Sequence, residues 1–455
     1  MLIRRYSSDH DGSNAQGDDR PAWVAPTVEA PVRGRVVVPG SKSLTNRELL
    51  LSALADSPSL LRAPLHSRDS ALMTDALRQL GATVTPVGEH AEDLQIDPID
   101  DVHGSVSIDC GLAGTVMRFV PPVAALATGP VSFDGDPHAR LRPMRPVIEA
   151  LRQLGVDIAD DGRGALPFTV HGAGRVAGGH VRIDASGSSQ FISALLLAAP
   201  RFDDVTVIEH VGDTLPSLPH IEMTVATLHE RGVRVERTGD TQWTIWPGPI
   251  AGRDIRLEPD LSNAAPFLAA ALVTGGEVTI DGWPEHTTQV GALLPELLAA
   301  FGAESSFDGG DLTLHGTGAL HGADLDLSAA GELAPTLAAV AALTDSPTTL
   351  RGIAHLRGHE TDRLAALESD INGLGGNVSQ TADGLVIHPA ELHGGSWRAF
   401  ADHRMATAGA IIGLRIPGVE IDDIDSTGKT LPDFPGMWAR LLRPANSTMS
   451  WSLPE

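Results

Sequence analysis

One internal repeat constrains this chain more than any other feature. An amphipathic helix pattern closed by a glycine recurs as A-L-R-Q-L-G-A (ending at Gly81), A-L-R-Q-L-G-V (Gly155) and T-L-H-E-R-G-V (Gly232). Looser copies are L-L-A-A-F-G-A (Gly302) and D-I-N-G-L-G-G (Gly375), and the five glycines fall 74, 77, 70 and 73 positions apart. A sixth, degenerate copy is expected around Trp438 to Leu442. Each glycine is read as the left-handed cap that ends a helix. A second helix type keeps step with the first: Ala/Leu-rich runs begin near Ser43, Gly114, Ser188, Ser262, Ala334 and His403. Helices apolar nearly all round belong inside and amphipathic ones outside. The chain therefore reads as six mixed α/β units, with a period longer than that of common solenoid repeats. The run from Gly114 carries Pro121 and Pro122, so that helix is expected to be short or kinked.

The starts of the buried runs carry the chemical signal. They read S-K-S-L-T-N-R, L-A-G-T-V-M-R, G-S-S-Q, D-L-S-N, G-E-L-A and A-D-H-R. Ser, Thr, Asn and Gly are ordinary helix caps when met singly. Here most copies add Arg, Lys, His or Gln within the first turn. Helix N-termini already offer free N–H groups and partial positive charge, which suits anionic oxygens. The chain as a whole carries a net charge of −25, which argues against nucleic acid or an anionic membrane as a partner. Small anions would need a local basic cleft. Of 33 basic residues only Lys42 and Lys429 are lysines, and a compact ammonium is not interchangeable with arginine at phosphates or in proton transfer. A single cysteine, Cys110, rules out a disulfide framework and fits a reducing compartment. No GxGxxG follows a strand, and no His/Cys ligand spacing is present.

Six motifs stand in order along the chain: P-G-S-K-S-L-T-N-R from Pro39, L-A-G-T-V-M-R from Leu112, S-S-Q-F from Ser188, R-G-H-E-T-D-R from Arg357, D-H-R-M-A from Asp402 and K-T-L-P-D-F from Lys429. Together they resemble the signatures of the 5-enolpyruvylshikimate-3-phosphate synthases, and both lysines lie inside them. The resemblance implies two similar domains, each of three βαβαββ units whose buried parallel helices aim their N-termini at an interdomain cleft, an inside-out α/β barrel. It places one domain at 27–40 plus 259–443 and the other at 41–258, while the polar composition of 1–26 reads as a disordered leader and 444–455 as a loose tail. It implies transfer of the enolpyruvyl group of phosphoenolpyruvate to shikimate 3-phosphate with no metal or other cofactor, by a cytoplasmic monomer whose partners are those two small molecules.

Roles follow position by position from the same resemblance. Lys42 touches both substrates. Ser43 and Arg47 hold the shikimate carboxylate side, and Ser188, Ser189 and Ser217 the 3-phosphate. Gln190 contacts both molecules. Gly114, Arg142, Arg363, Arg404 and Lys429 form the phosphoenolpyruvate pocket. Glu332, where the family has Asp, deprotonates the 5-hydroxyl, and Glu360, shared with Lys42, protonates the methylene. Asp402 is read equally as a cap, a histidine partner or a ligand contact. The chain departs from the family pattern at Leu112, Phe119, His220, His355 and His359. His355 and His359 are expected beside shikimate 3-phosphate. His359 replaces a lysine there, so binding is expected to be strongest at low pH, while its imidazole is still protonated. The sister family that acts on UDP-N-acetylglucosamine has a cysteine five residues before the arginine of its R-P motif, and Pro137 occupies that place here. An inactive relative that only binds phosphometabolites is the other alternative.

Overall fold

The computed structural model describes residues 21–443. Twelve α-helices alternate in burial among the described residues. The inner set is α1 (Lys42–Ala53), α3 (Gly114–Ala124), α5 (Gln190–Ala198), α7 (Leu261–Thr274), α9 (Ala334–Ala341) and α11 (His403–Gly413). The outer set is α2 (Arg68–Gln79), α4 (Arg145–Gln153), α6 (Leu218–Glu230), α8 (Leu294–Ala299), α10 (Arg363–Gly373) and α12 (Phe434–Leu441). Inner helices start within two residues of the expected places and are buried along most of their length, α1 with polar side chains among the buried ones. All fourteen residues of α7 are buried, for instance. Outer helices expose one side. Their closing glycines take positive φ, from +81° at Gly232 to +116° at Gly81, a region where a side chain is strained. Pro121 and Pro122 lie inside α3, which is wholly buried and, at 11 residues, as long as α11 and longer than α5 or α9, so the expected shortening is not found.

Each helix pair is joined to a small sheet that combines one parallel pairing with antiparallel ones. In the second unit Val106–Asp109 runs parallel to Thr128–Asp134, which pairs antiparallel with Phe168–Ala173, itself antiparallel to Asp157–Ala159. Five four-stranded sheets repeat this order, and the sixth has three strands. Three sheets are completed from far along the chain: Asp254–Arg256 joins Ser59–Arg62, Arg33–Val36 joins Glu277–Ile280, and Trp23–Val24 joins Val419–Ile421.

Buried apolar side chains form two clusters. One runs from Leu49 to Leu257, and the other combines Ala25 to Val38 with Leu261 to Leu441. The chain passes between them twice, side by side, where Gly40 bridges Pro259. A Cβ on Gly40 would lie 2.3 Å from the Ala63 carbonyl oxygen, so only glycine fits this crossing. Asp260 ties the crossing to both clusters, its Oδ2 accepting from the Lys42 N–H and its Oδ1 from the Asn263 N–H, each at 3.0 Å. One carboxylate thus caps α1 and α7 together.

The expected leader ends earlier than 26. Trp23–Val24 pairs with Ile421 and Glu420, and Ala25 is 2 % exposed. These apolar residues complete a distant sheet, which local composition does not reveal. Residues 1–20 of the leader, and the tail at 444–455, lie outside the described residues. No helix among those described is long and apolar enough to cross a membrane. Cys110 is fully buried, and burial pushes its thiol pKa up.

Candidate active site

All six inner helices present their N-terminal ends to one cleft. Ser41, Lys42 and Ser43 come from α1, Thr115 and Arg118 from α3, and Ser188, Ser189 and Gln190 from the start of α5. Across from them stand Ser262 and Asn263 of α7, Glu332 in the turn before α9, and His403 and Arg404 of α11. Six converging helix starts make a concentrated field for anions. The two walls also touch: the Ser217 N–H donates to the Ser328 carbonyl at 3.2 Å, and His220 Nε2 lies 2.9 Å from Glu332 Oε2.

The structure gathers most of the expected residues here. Lys42, Ser43, Arg142, Ser188, Ser189, Gln190, Ser217, Glu332, His355, His359, Glu360, Arg363 and Arg404 all line the cleft. Lys429 sits just behind, its Nζ 2.7 Å from Glu360 Oε1. Gly114 backs Arg142, and a Cβ there would come within 3.0 Å of the guanidinium. Arg47 is set deeper, at 1 % exposure. It donates to Thr224 Oγ1, the Ser43 carbonyl and the His220 carbonyl, which commits three of its five N–H groups. Ser217 enters α6 through left-handed backbone, φ 54° and ψ 43°. Asp402 caps α11 through the Arg404 N–H and grips Arg363 with both oxygens, at 2.7 and 3.1 Å.

Two carboxylates hold different company. Glu332 meets His220, Ser262 and, at 3.6 Å, Arg404. Glu360 meets Lys429 and, at 3.2 Å, Arg363. Burial alone would raise both pKa values. His220 and Arg404 hold Glu332 well below the usual carboxylate range, and Lys429 and Arg363 do the same for Glu360. Burial lowers the pKa of Lys42, which Asp69 at 3.8 Å partly offsets. His403 has no hydrogen-bond partner on either ring nitrogen among the described residues, its Nδ1 lying 3.7 Å from Asp402 Oδ1, and burial with Lys42 and Arg404 nearby lowers its pKa well below the usual value.

The two histidines sit where burial works against a positive charge. Burial and the Arg363 charge press His359 well below 6.5, and burial takes His355 to about 4. The geometry agrees for His359. Arg363 NH1 points at its Nδ1 from 3.4 Å, and an arginine only donates, so Nδ1 is the acceptor of a neutral ring. Both features disfavour the cation that its place suggested, against the opposing Glu360 charge, and leave Nε2 as the ring's donor.

A family model described as EPSP synthase (3-phosphoshikimate 1-carboxyvinyltransferase) matches residues 26–438. The chain belongs to the EPSP synthase family. A 3-phosphoshikimate 1-carboxyvinyltransferase from Kocuria rhizophila is 59% identical over 438 residues, covering 94% of this chain and 98% of that protein. Two solved structures of EPSP synthase from Acinetobacter baumannii superpose with TM-scores of 0.75 and 0.74 at 23% identity, each covering 92% of this chain and 97% of the other. At that identity they speak for the fold alone.

Sequence reasoning gave no role to Arg118, Asp69, Asp260 or Gln289, each at or beside the cleft of this family member. Gln289 Oε1 accepts from the Leu261 N–H at 3.2 Å, while its Nε2 donates to Glu258 and the Pro259 carbonyl. For Arg118 a signal existed: it is the only charged residue in the apolar run G-T-V-M-R-F-V-P-P-V-A.

Proposed function

We propose that this chain transfers the enolpyruvyl group of phosphoenolpyruvate to the 5-hydroxyl of shikimate 3-phosphate and releases phosphate. The observation that carries the reading is the pair of part-buried carboxylates, Glu332 and Glu360, set among six helix N-termini and both lysine-bearing motifs. Shikimate 3-phosphate lies against Ser43, Ser188, Ser189, Gln190 and Ser217, with Arg47 behind them and His355 and His359 as neutral donors. Phosphoenolpyruvate lies against Arg142, Arg363, Arg404 and Lys429, with Gly114 keeping room for Arg142. Lys42 stands between the two. Arginine forks suit the carboxylate and phosphate oxygens, and the lysines supply point charges.

Glu332 takes the 5-hydroxyl proton as that oxygen attacks C2 of phosphoenolpyruvate. The methylene carbon gains a proton from Glu360 or Lys42, giving a tetrahedral intermediate. A proton then leaves the new methyl group, the C2–O bond to phosphate breaks, and the enol ether double bond forms. Atoms and charges balance without a cofactor. Glu360 is ionised within the protein itself, so it can serve as acid only once the substrate's anionic groups draw Lys429 and Arg363 away from it. Lys42, with its pKa already lowered, needs less adjustment.

We take the working form to be a cytoplasmic monomer of two domains, 27–40 plus 259–443 and 41–258. The support is that both walls of the cleft come from one chain. Light scattering on the purified protein checks the monomer. The function is tested by phosphate release that depends on both substrates. No release, or release with UDP-N-acetylglucosamine in place of shikimate 3-phosphate, would overturn the assignment.

A further inference from the structure

Arg118 sits in the second turn of α3 at 4 % exposure, its Cζ 5.0 Å from the centre of the Phe191 ring. Burial, with Arg142 adding, lowers its pKa to about 9, so it stays charged at neutral pH. Its NH1 donates to Gln190 Oε1 at 2.7 Å and, more weakly, to Ser188 Oγ at 3.3 Å. Among the described residues it pairs with no carboxylate. A buried cation is thus spent on two neutral side chains that line the cleft.

The donor inventory of these three groups decides what the cleft sees. A guanidinium only donates. The Gln190 amide must therefore turn its oxygen to Arg118, which leaves the two N–H groups of Nε2 for the cleft. Ser188 Oγ accepts from Arg118 and also from the Gln190 backbone N–H at 3.3 Å. Both of its lone pairs are then engaged, and the hydroxyl hydrogen is left to donate. Without Arg118 the amide could rotate and present its oxygen, which an anionic ligand would repel.

We propose that Arg118 is a positioning residue: it fixes Gln190 and Ser188 as outward-facing donors for the anionic oxygens of the substrate. The proposal rests on the reading above that these two side chains hold shikimate 3-phosphate. Because Arg118 acts through them, its effect must vanish when they are gone.

The test is calorimetric measurement of the dissociation constant for shikimate 3-phosphate across a mutant cycle. Arg118→Met is expected to weaken binding by about 10- to 50-fold, as is the Gln190→Met/Ser188→Ala double variant, because each loses oriented bonds to a charged group. Adding Arg118→Met to that double variant should change the constant by less than about threefold. Arg118→Lys keeps the buried charge and one donor, so it should fall between wild type and Arg118→Met; thermal melting of both variants checks that they fold. A general packing defect would add its cost in every background. Full additivity, or wild-type binding by both Arg118 variants, overturns the proposal. If the double variant itself binds like wild type, the reading of Gln190 and Ser188 as substrate contacts fails, and the proposal with it.

Discussion

Replacing Glu360 with glutamine separates two effects that the carboxylate combines. In the protein its Oε1 lies 2.7 Å from Lys429 Nζ and its Oε2 3.2 Å from Arg363 NH2, all three side chains nearly buried. The same two cations are proposed to hold phosphoenolpyruvate, so the substrate must compete with Glu360 for them. An anionic oxygen on the far side of those cations lies roughly 6 Å from the carboxylate, where two unit charges at an effective dielectric of about 20 repel by about 3 kcal/mol. Glutamine removes that repulsion but loses part of the ordering of Lys429. A net gain of about 1.4 kcal/mol, or roughly tenfold tighter binding, is the expected balance. Chemistry should move the other way, because an amide has no acidic proton to deliver: turnover should fall by about 10²- to 10⁴-fold if Glu360 is the acid. Calorimetry with phosphoenolpyruvate in the presence of shikimate 3-phosphate reads the first effect on the slow variant, and steady-state phosphate release reads the second. Weaker binding with unchanged turnover would refute both steps. Tighter binding with unchanged turnover would leave Lys42 as the donor.

Three further outcomes are expected. Lys429→Met should raise the KM for phosphoenolpyruvate by about 100-fold while that for shikimate 3-phosphate stays within about threefold, since one buried charge-assisted contact is lost on one substrate only; equal effects in steady-state kinetics would contradict this. Gly114→Ala places a Cβ 3.0 to 3.4 Å from the Arg142 guanidinium, so that arginine must shift. Phosphoenolpyruvate should bind about tenfold more weakly and glyphosate, which is longer, weaker still, as read by inhibition curves on both proteins. With His359 neutral far above its lowered pKa, the dissociation constant for shikimate 3-phosphate should stay within about twofold from pH 7 to 8.5, and His359→Lys should lower it across that whole range. A steep rise with pH in the wild type would restore the cationic histidine.

What the sequence showed, it showed through local rules. A closing glycine and an all-apolar run are properties of a dozen residues, so helix ends and burial could be read directly, as at Gly81 and α7. The identity of the cleft was legible because helix starts carry their chemistry within one turn. Relations between distant segments were not. His220 and Glu332 are 112 positions apart, and nothing in either neighbourhood announces their 2.9 Å contact. Asp260 opens the D-L-S-N start of α7, and only the crossing at Gly40 brings α1 to its other oxygen. The surroundings of His359 were hidden for the same reason: a side chain's pKa depends on its neighbours, and Arg363 lies one turn away on a helix start that the motif does not orient.

These pairings change how a chain of net charge −25 can receive anionic substrates. Most of the cleft cations are already claimed: Lys42 by Asp69 at 3.8 Å, Arg404 by Glu332 at 3.6 Å, Lys429 by Glu360, and Arg363 by Asp402 and Glu360. Buried unpaired charge is costly, so such a balance lets the cleft exist before substrate arrives. Phosphate and carboxylate oxygens then displace protein carboxylates as partners of the same cations. Each displaced carboxylate loses the charges that hold its pKa low, while the burial that pushes it up remains. On the proposed roles, Glu332 would become a stronger base just as the 5-hydroxyl comes within reach, and Glu360 would become able to carry a proton beside the methylene. Every pKa unit recovered in this way is drawn from binding, at about 1.4 kcal/mol. Substrate affinity and catalytic protonation are therefore coupled through the same four cations, and a variant that tightens binding by removing either carboxylate should lose the chemistry that the carboxylate supplied.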